Sequence, residues 1–193
     1  MHERYEESLD FLTPGLYEEI TMISRLINAY FRWEFNSCET IVKDGVAYPI
    51  DYANACPDVA IISLHVHFPW AMTSLLKWTI FCAATNRLME LNLDHRRFFK
   101  IGDRADWSYE KKLREYFKIT QDYFQTERFE EFCEKHLGHI DEVAHEYFGS
   151  IDFDDLLVRS VKDMFPPHER EHFTAHYRHL LSKWAQAHST INV

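Results

Sequence analysis

Apolar positions recur along the chain at two different periods, and the change of period divides it. Thr13-Pro14 has the form of an N-cap followed by a first-turn proline, and Leu16, Ile20, Ile23, Leu26, Ile27 and Tyr30 then return every three or four residues. This spacing predicts a helix from about 14 to 30. From Phe31 onward, aromatic and β-favouring residues replace that rhythm on both sides of Lys43-Asp44-Gly45, a turn signal between FRWEFNSCETIV and VAYPIDYA. They predict a β-hairpin. After Pro57-Asp58 a short apolar run, VAIISLHV, is consistent with either a third strand or an irregular lead-in to a helix that opens at Pro69.

Everything downstream has a period near 3.6. Helices are predicted over Pro69–Ala84, from Ser108 to about Gln125, from Thr126 to Phe148 with a break near Gly138, over Asp152–Met164, and from Pro166 to about His188. The most apolar of these, PWAMTSLLKWTIFCAA, is interrupted by Lys77 and falls short of the roughly 20 residues that a membrane span needs. It is expected to be the central buried helix. The expected architecture is α+β and mainly α, with an N-terminal helix and antiparallel hairpin (1–62) packed with a C-terminal multi-helix region (63–193) on a shared core. Neither an internal repeat nor a flexible linker interrupts this plan.

Composition and charge narrow the function. With 193 residues, 46% of them hydrophobic and 16% aromatic, the chain has enough apolar surface for one sizeable core. Its 21 basic against 31 acidic residues give a net charge of −10, with the acids spread along the helices, which argues against nucleic acid or an anionic membrane as partner. The densest basic group, Arg96, Arg97 and Lys100, is expected in a solvated loop. Cys38, Cys56, Cys82 and Cys133 show no CxxC spacing and the start MHERYEESLDF has no apolar core, so a reduced, cytoplasmic protein is expected.

Candidate chemistry lies in two places. His168-Glu169-Arg170-Glu171-His172 satisfies the zinc-protease pattern HExxH, yet Pro166 and Pro167 put it in the first turn of a polar helix and no third ligand follows. An ordinary solvated helix accounts for it, and for His136, His139 and His145. The hairpin offers more. Glu34 and Asn36 stand two apart on its first strand, and Asp51 and Asn54 face them from the second once the turn closes. A three-residue loop pairs Glu34 with Asn54; a two-residue loop sets Asp51 opposite Cys38; a bulge reconciles the two. Two carboxylates about 4 Å apart repel by about 4 kcal/mol at an effective dielectric near 20, so a neighbouring cation is needed. Arg32 and Lys43 are close in sequence, and a divalent ion is the alternative. Oxygen-only donors favour magnesium, which completes its shell with water and phosphate oxygens.

FRWEFNSCETIVKDGVAYPIDYANACPD resembles the closing hairpin of the ATP-grasp superfamily, in which acids and an asparagine on adjacent strands hold the magnesium ions of ATP. From about residue 3 to its end the chain is similar to the C-terminal part of a group of bacterial ATP-grasp proteins with WEFNSCE-like, PIDFANACPD-like and SLHYHFPW-like segments followed by a helical tail. The resemblance implies an ATP-dependent carboxylate–amine ligase that uses Mg2+ and ATP, with Glu34, Asp51 and Asn54 as metal ligands. Asn36 is the rival carboxamide, since Glu34-Phe35-Asn36 is a literal E-x-N, and His65 and His67 would face the bound cofactor and small-molecule substrate. The glycine-rich loop and lysines of such an enzyme precede this hairpin, so the chain is expected to be a C-terminal fragment or remnant. A non-enzymatic helical module that docks a protein partner is the alternative.

Overall fold

The computed structural model describes residues 11–90 and 95–189. Helix α1 (Pro14–Phe31) starts where its cap dictates, Thr13 Oγ1 accepting from the Leu16 N–H at 3.3 Å. Arg32 ends it in the left-handed conformation (φ 61°, ψ 35°), with its N–H bonded back to the Ala29 carbonyl and that of Trp33 to Asn28. Strands β1 (Ser37–Lys43) and β2 (Val46–Asn54) form a two-stranded antiparallel sheet. Asp44 and Gly45 both have positive φ (53° and 76°), which makes the connection a two-residue primed turn with Lys43 opposite Val46. The register is regular from there to Thr40, which faces Pro49, and then slips twice, giving Glu39 opposite Asp51 and Ser37 opposite Asn54. In both slips the extra residue belongs to β2.

Two compact units emerge. The first comprises the described residues of Met1–Pro57 and Leu88–Glu130: α1, the hairpin, α4 (Arg96–Gly102), α5 (Tyr109–Phe124) and the start of α6 (Thr126–His136). Here α1 lies along α5, α4 leans on α5, and β2 rests on α1. Leu16, Ala29, Phe98, Leu113, Ile119 and Tyr123 are among the buried residues that hold it. The second unit contains α2 (Ile61–Leu64), a 3-10 turn (His65–His67), α3 (Phe68–Ala84), the rest of α6, α7 (Ile140–Phe148), α8 (Ile151–Met164) and α9 (Arg170–Ser189). Its core is a cluster that includes Phe68, Phe153, Leu157, Val161, Phe173 and Leu180.

The fold is α+β and mainly α, with an N-terminal helix and hairpin, as the periodicity predicts. Of the two alternatives for VAIISLHV, the lead-in is formed and the strand is not: a helical turn and a 3-10 turn run into α3. Three local expectations are corrected. Helix α3 is not fully buried: only Phe68, Pro69 and Phe81 are enclosed, while Trp70 and Leu76 are exposed. Arg96, Arg97 and Lys100 form the helix α4 rather than a loop, with Arg97 3.3 Å from Asp122. Helix α9 begins at Arg170, four residues later than predicted, after a turn through Pro167. Among the described residues no helix is long and apolar enough to cross a membrane.

Candidate functional site

The site is built where α1 hands over to β1. Because α1 runs to Phe31 and pairing starts only at Ser37, Glu34 and Asn36 sit in the connection and not in the ladder, contrary to the strand alternation read from the sequence. Phe31 and Trp33 stack at 4.7 Å across the left-handed Arg32, which gives this connection its shape. Glu34 turns toward α5 and accepts from the Tyr123 hydroxyl at 2.9 Å. The Arg32 guanidinium lies over the Tyr123 ring, 4.7 Å from its centre, and reaches Glu90 at 3.6 Å.

Asn36 is fixed from its nitrogen side. Its Nδ2 donates to Asn28 Oδ1 and to the Tyr52 carbonyl, both at 3.0 Å, and approaches Cys38 Sγ at 3.6 Å. These acceptors determine the orientation of the amide. The opposite atom, Oδ1, is buried and has no hydrogen-bond partner, an arrangement that costs about 1–3 kcal/mol unless something supplies a positive charge or a donor. Burial pushes the Cys38 thiol up, against smaller opposing effects of hydrogen bonds with Ser24 and Asn36, which favours the neutral thiol over the thiolate.

Asp51 is on different ground. It is the direct cross-strand partner of Glu39, and both residues are exposed. The oxygen donors therefore fall into two groups, an inner pair, Glu34 and Asn36, against α1 and α5, and an outer pair, Glu39 and Asp51, on the solvent face of the hairpin. Glu39 was not singled out as a ligand from sequence; only the slipped register, which depends on extra residues in β2, puts it opposite Asp51. The Asn54 backbone closes the ladder opposite Ser37, and its side chain lies outside what is described.

His65 and His67 belong to the second unit. His65 has φ 52° and ψ −125°, a backbone state that costs about 1–3 kcal/mol for a residue with a side chain. Its Nε2 lies 2.8 Å from the Ile62 carbonyl, which the Tyr177 hydroxyl also approaches, at 3.4 Å. His67 is exposed, and the two are part of a 3-10 turn and not of one strand face. His168 precedes α9, so the HExxH histidines do not share a helix, and both are exposed. Among the described residues no group of three or more His, Cys, Asp or Glu side chains is placed to hold a metal ion.

The chain matches no family model, no curated protein and no solved structure. The reading of its chemistry therefore rests on residues and geometry.

Proposed function

We propose that the root of the hairpin is the cation-holding end of an ATP-grasp-type, ATP-dependent carboxylate–amine ligase, with Glu34 and Asn36 as its protein ligands. The observation that carries this reading is the buried, unpartnered Oδ1 of Asn36, two residues from the half-buried Glu34 carboxylate. One carboxylate and one carboxamide make a poor site for zinc and a suitable one for magnesium, which keeps water and takes phosphate oxygens for the rest of its shell.

Between Asn36 and Asn54, the orphaned oxygen favours Asn36 as the carboxamide. Asp51, beside Glu39, supplies charge on the outer face and gives the site a negative approach. Within the site, Tyr123 holds the Glu34 carboxylate by its hydroxyl, and Asn28 with the Tyr52 carbonyl holds the Asn36 amide, so both oxygens are oriented before any ligand arrives. Glu34 and Asn36 would hold the magnesium ion, which when bound would supply positive charge for phosphoryl transfer to a carboxylate substrate. The glycine-rich loop and lysines that grip ATP in such enzymes are not supplied by the hairpin root.

In the complete protein, Glu34→Gln and Asn36→Ala are each expected to lower Mg2+–ATP turnover by about a hundredfold, on the scale of other losses of transition-state charge stabilisation. Asn54→Ala is expected to leave it within a few-fold. Full turnover in both inner-pair variants would overturn the assignment.

A further inference from the structure

A two-stranded sheet has two outer edges, and this hairpin treats them differently. In a hairpin closed by a two-residue turn, the residues flanking the turn form a hydrogen-bonded pair, and the pairs then alternate. Lys43–Val46 and Ile41–Tyr48 are therefore the bonded pairs, while Val42–Ala47 and Thr40–Pro49 are the non-bonded ones. Pro49 sits where its missing N–H would have faced outward from β2, so that edge cannot continue a ladder. The same edge carries both register slips, and β2 lies against α1. These are the usual means of blocking a sheet edge.

Among the described residues, the β1 edge has none of them. It is unslipped from Thr40 to Lys43, it contains no proline, and the N–H and C=O groups of Thr40 and Val42 point away from β2. Its exposed side chains are Glu39, Ile41 and Lys43, with Ile41 53% exposed, and the neighbouring strand adds Tyr48 at 50% directly opposite Ile41.

Glu39, Ile41 and Lys43 read as acid, apolar, base, a pattern that is complementary to itself when the strand is reversed. We infer that β1 pairs antiparallel with β1 of a second copy of this chain about a two-fold axis at Ile41, producing a continuous four-stranded sheet. In that register Thr40 of each copy bonds Val42 of the other, which uses the outward-pointing backbone groups. Ile41 meets Ile41, and Glu39 meets Lys43 twice, in the closer, non-hydrogen-bonded pairs. Shifting the axis by one residue either way keeps the backbone bonds but sets Glu39 or Lys43 against Ile41, so the charges select the register. The apolar row Tyr48, Ile41, Ile41, Tyr48 then runs across both copies on one face. The occupant of this edge is a second copy, because no other strand need be supplied to complement its sequence.

The test is sedimentation velocity of the full chain over a concentration series. A monomer–dimer equilibrium is expected for the unaltered protein. E39K and K43E each place like charges opposite one another twice and are expected to weaken the dimer about tenfold or more. The double variant E39K/K43E restores the complementarity and is expected to return the dimer to within a few-fold of the original. Val42→Pro removes an outward N–H that the hairpin itself does not use, and is expected to abolish the dimer while the circular dichroism spectrum is kept. An unaltered protein that stays monomeric, single reversals without effect, or a folded double variant that does not regain the dimer would each overturn the inference.

Discussion

Asn36 is gripped by its nitrogen, and this grip aims its oxygen. Asn28→Ala would remove an acceptor of Asn36 Nδ2 and leave the Asn36 oxygen in place, so a loss of about 0.5–1.5 kcal/mol of stability is expected in urea unfolding. A loss below a few tenths would mean that the amide is not held. A second residue-scale expectation concerns the loop between α4 and α5, where Arg104 grips Asp106 with two hydrogen bonds of 2.9 and 2.8 Å. The hydrogen bond from Arg104, more than its charge, lowers the Asp106 carboxyl from 3.8 to about 2. Because the folded value is depressed, the associated stability is present above pH 3.8 and is lost as the pH falls toward 2. NMR titration of the side-chain carboxyl carbon should find the midpoint near 2, and Arg104→Gln should return it toward 3.8. A midpoint that does not move with the substitution would contradict the pairing.

At the scale of elements, the turn and the caps carry their own tests. Gly45 has φ 76°, so Gly45→Ala forces a side chain into the left-handed region and is expected to destabilise the hairpin by about 1 kcal/mol. Ser150 Oγ accepts from the Phe153 N–H at 3.2 Å at the start of α8, and Ser150→Ala should cost about 1 kcal/mol in thermal or urea unfolding. Thr13-Pro14, Asp44-Gly45 and Ser108 were legible in the sequence because each depends on one or two adjacent residues and does what its local chemistry dictates. The handover from α1 to β1 was not. RWEFN has the composition of a strand, but Arg32 closes the helix, Trp33 stacks on Phe31 and Glu34 turns to Tyr123, contacts made with residues before and far beyond the segment. VAIISLHV left strand and lead-in open, and the lead-in is formed because its β-branched residues serve helical turns whose Ile61 and Val66 enter a core shared with Phe153 and Leu157.

For the whole molecule, helical content and the position of the hairpin could be read from periodicity, but the division into units could not. The chain changes unit after Pro57, after Arg87 and after Glu130, the last within α6, and none of these points has a linker composition. Leu157, 1% exposed in the core of the second unit, gives the expectation at this scale. Leu157→Ala should cost about 2–5 kcal/mol in denaturant unfolding, and a loss under 1 kcal/mol would show that the core is not packed as described. Half of the candidate site, the Glu34-Phe35-Asn36 spacing, could be read as E-x-N; that Asn36 Oδ1 is orphaned, and that Asp51 faces Glu39, required the fold. The most direct test of the central claim is a titration of the isotope-labelled full chain with Mn2+, a paramagnetic stand-in for Mg2+, followed by NMR. The account predicts that the amide signals of Glu34 to Cys38 broaden at lower Mn2+ than those of other acidic segments, and that Asn36→Ala removes this preference; uniform broadening at every exposed carboxylate, unchanged by that substitution, would contradict it.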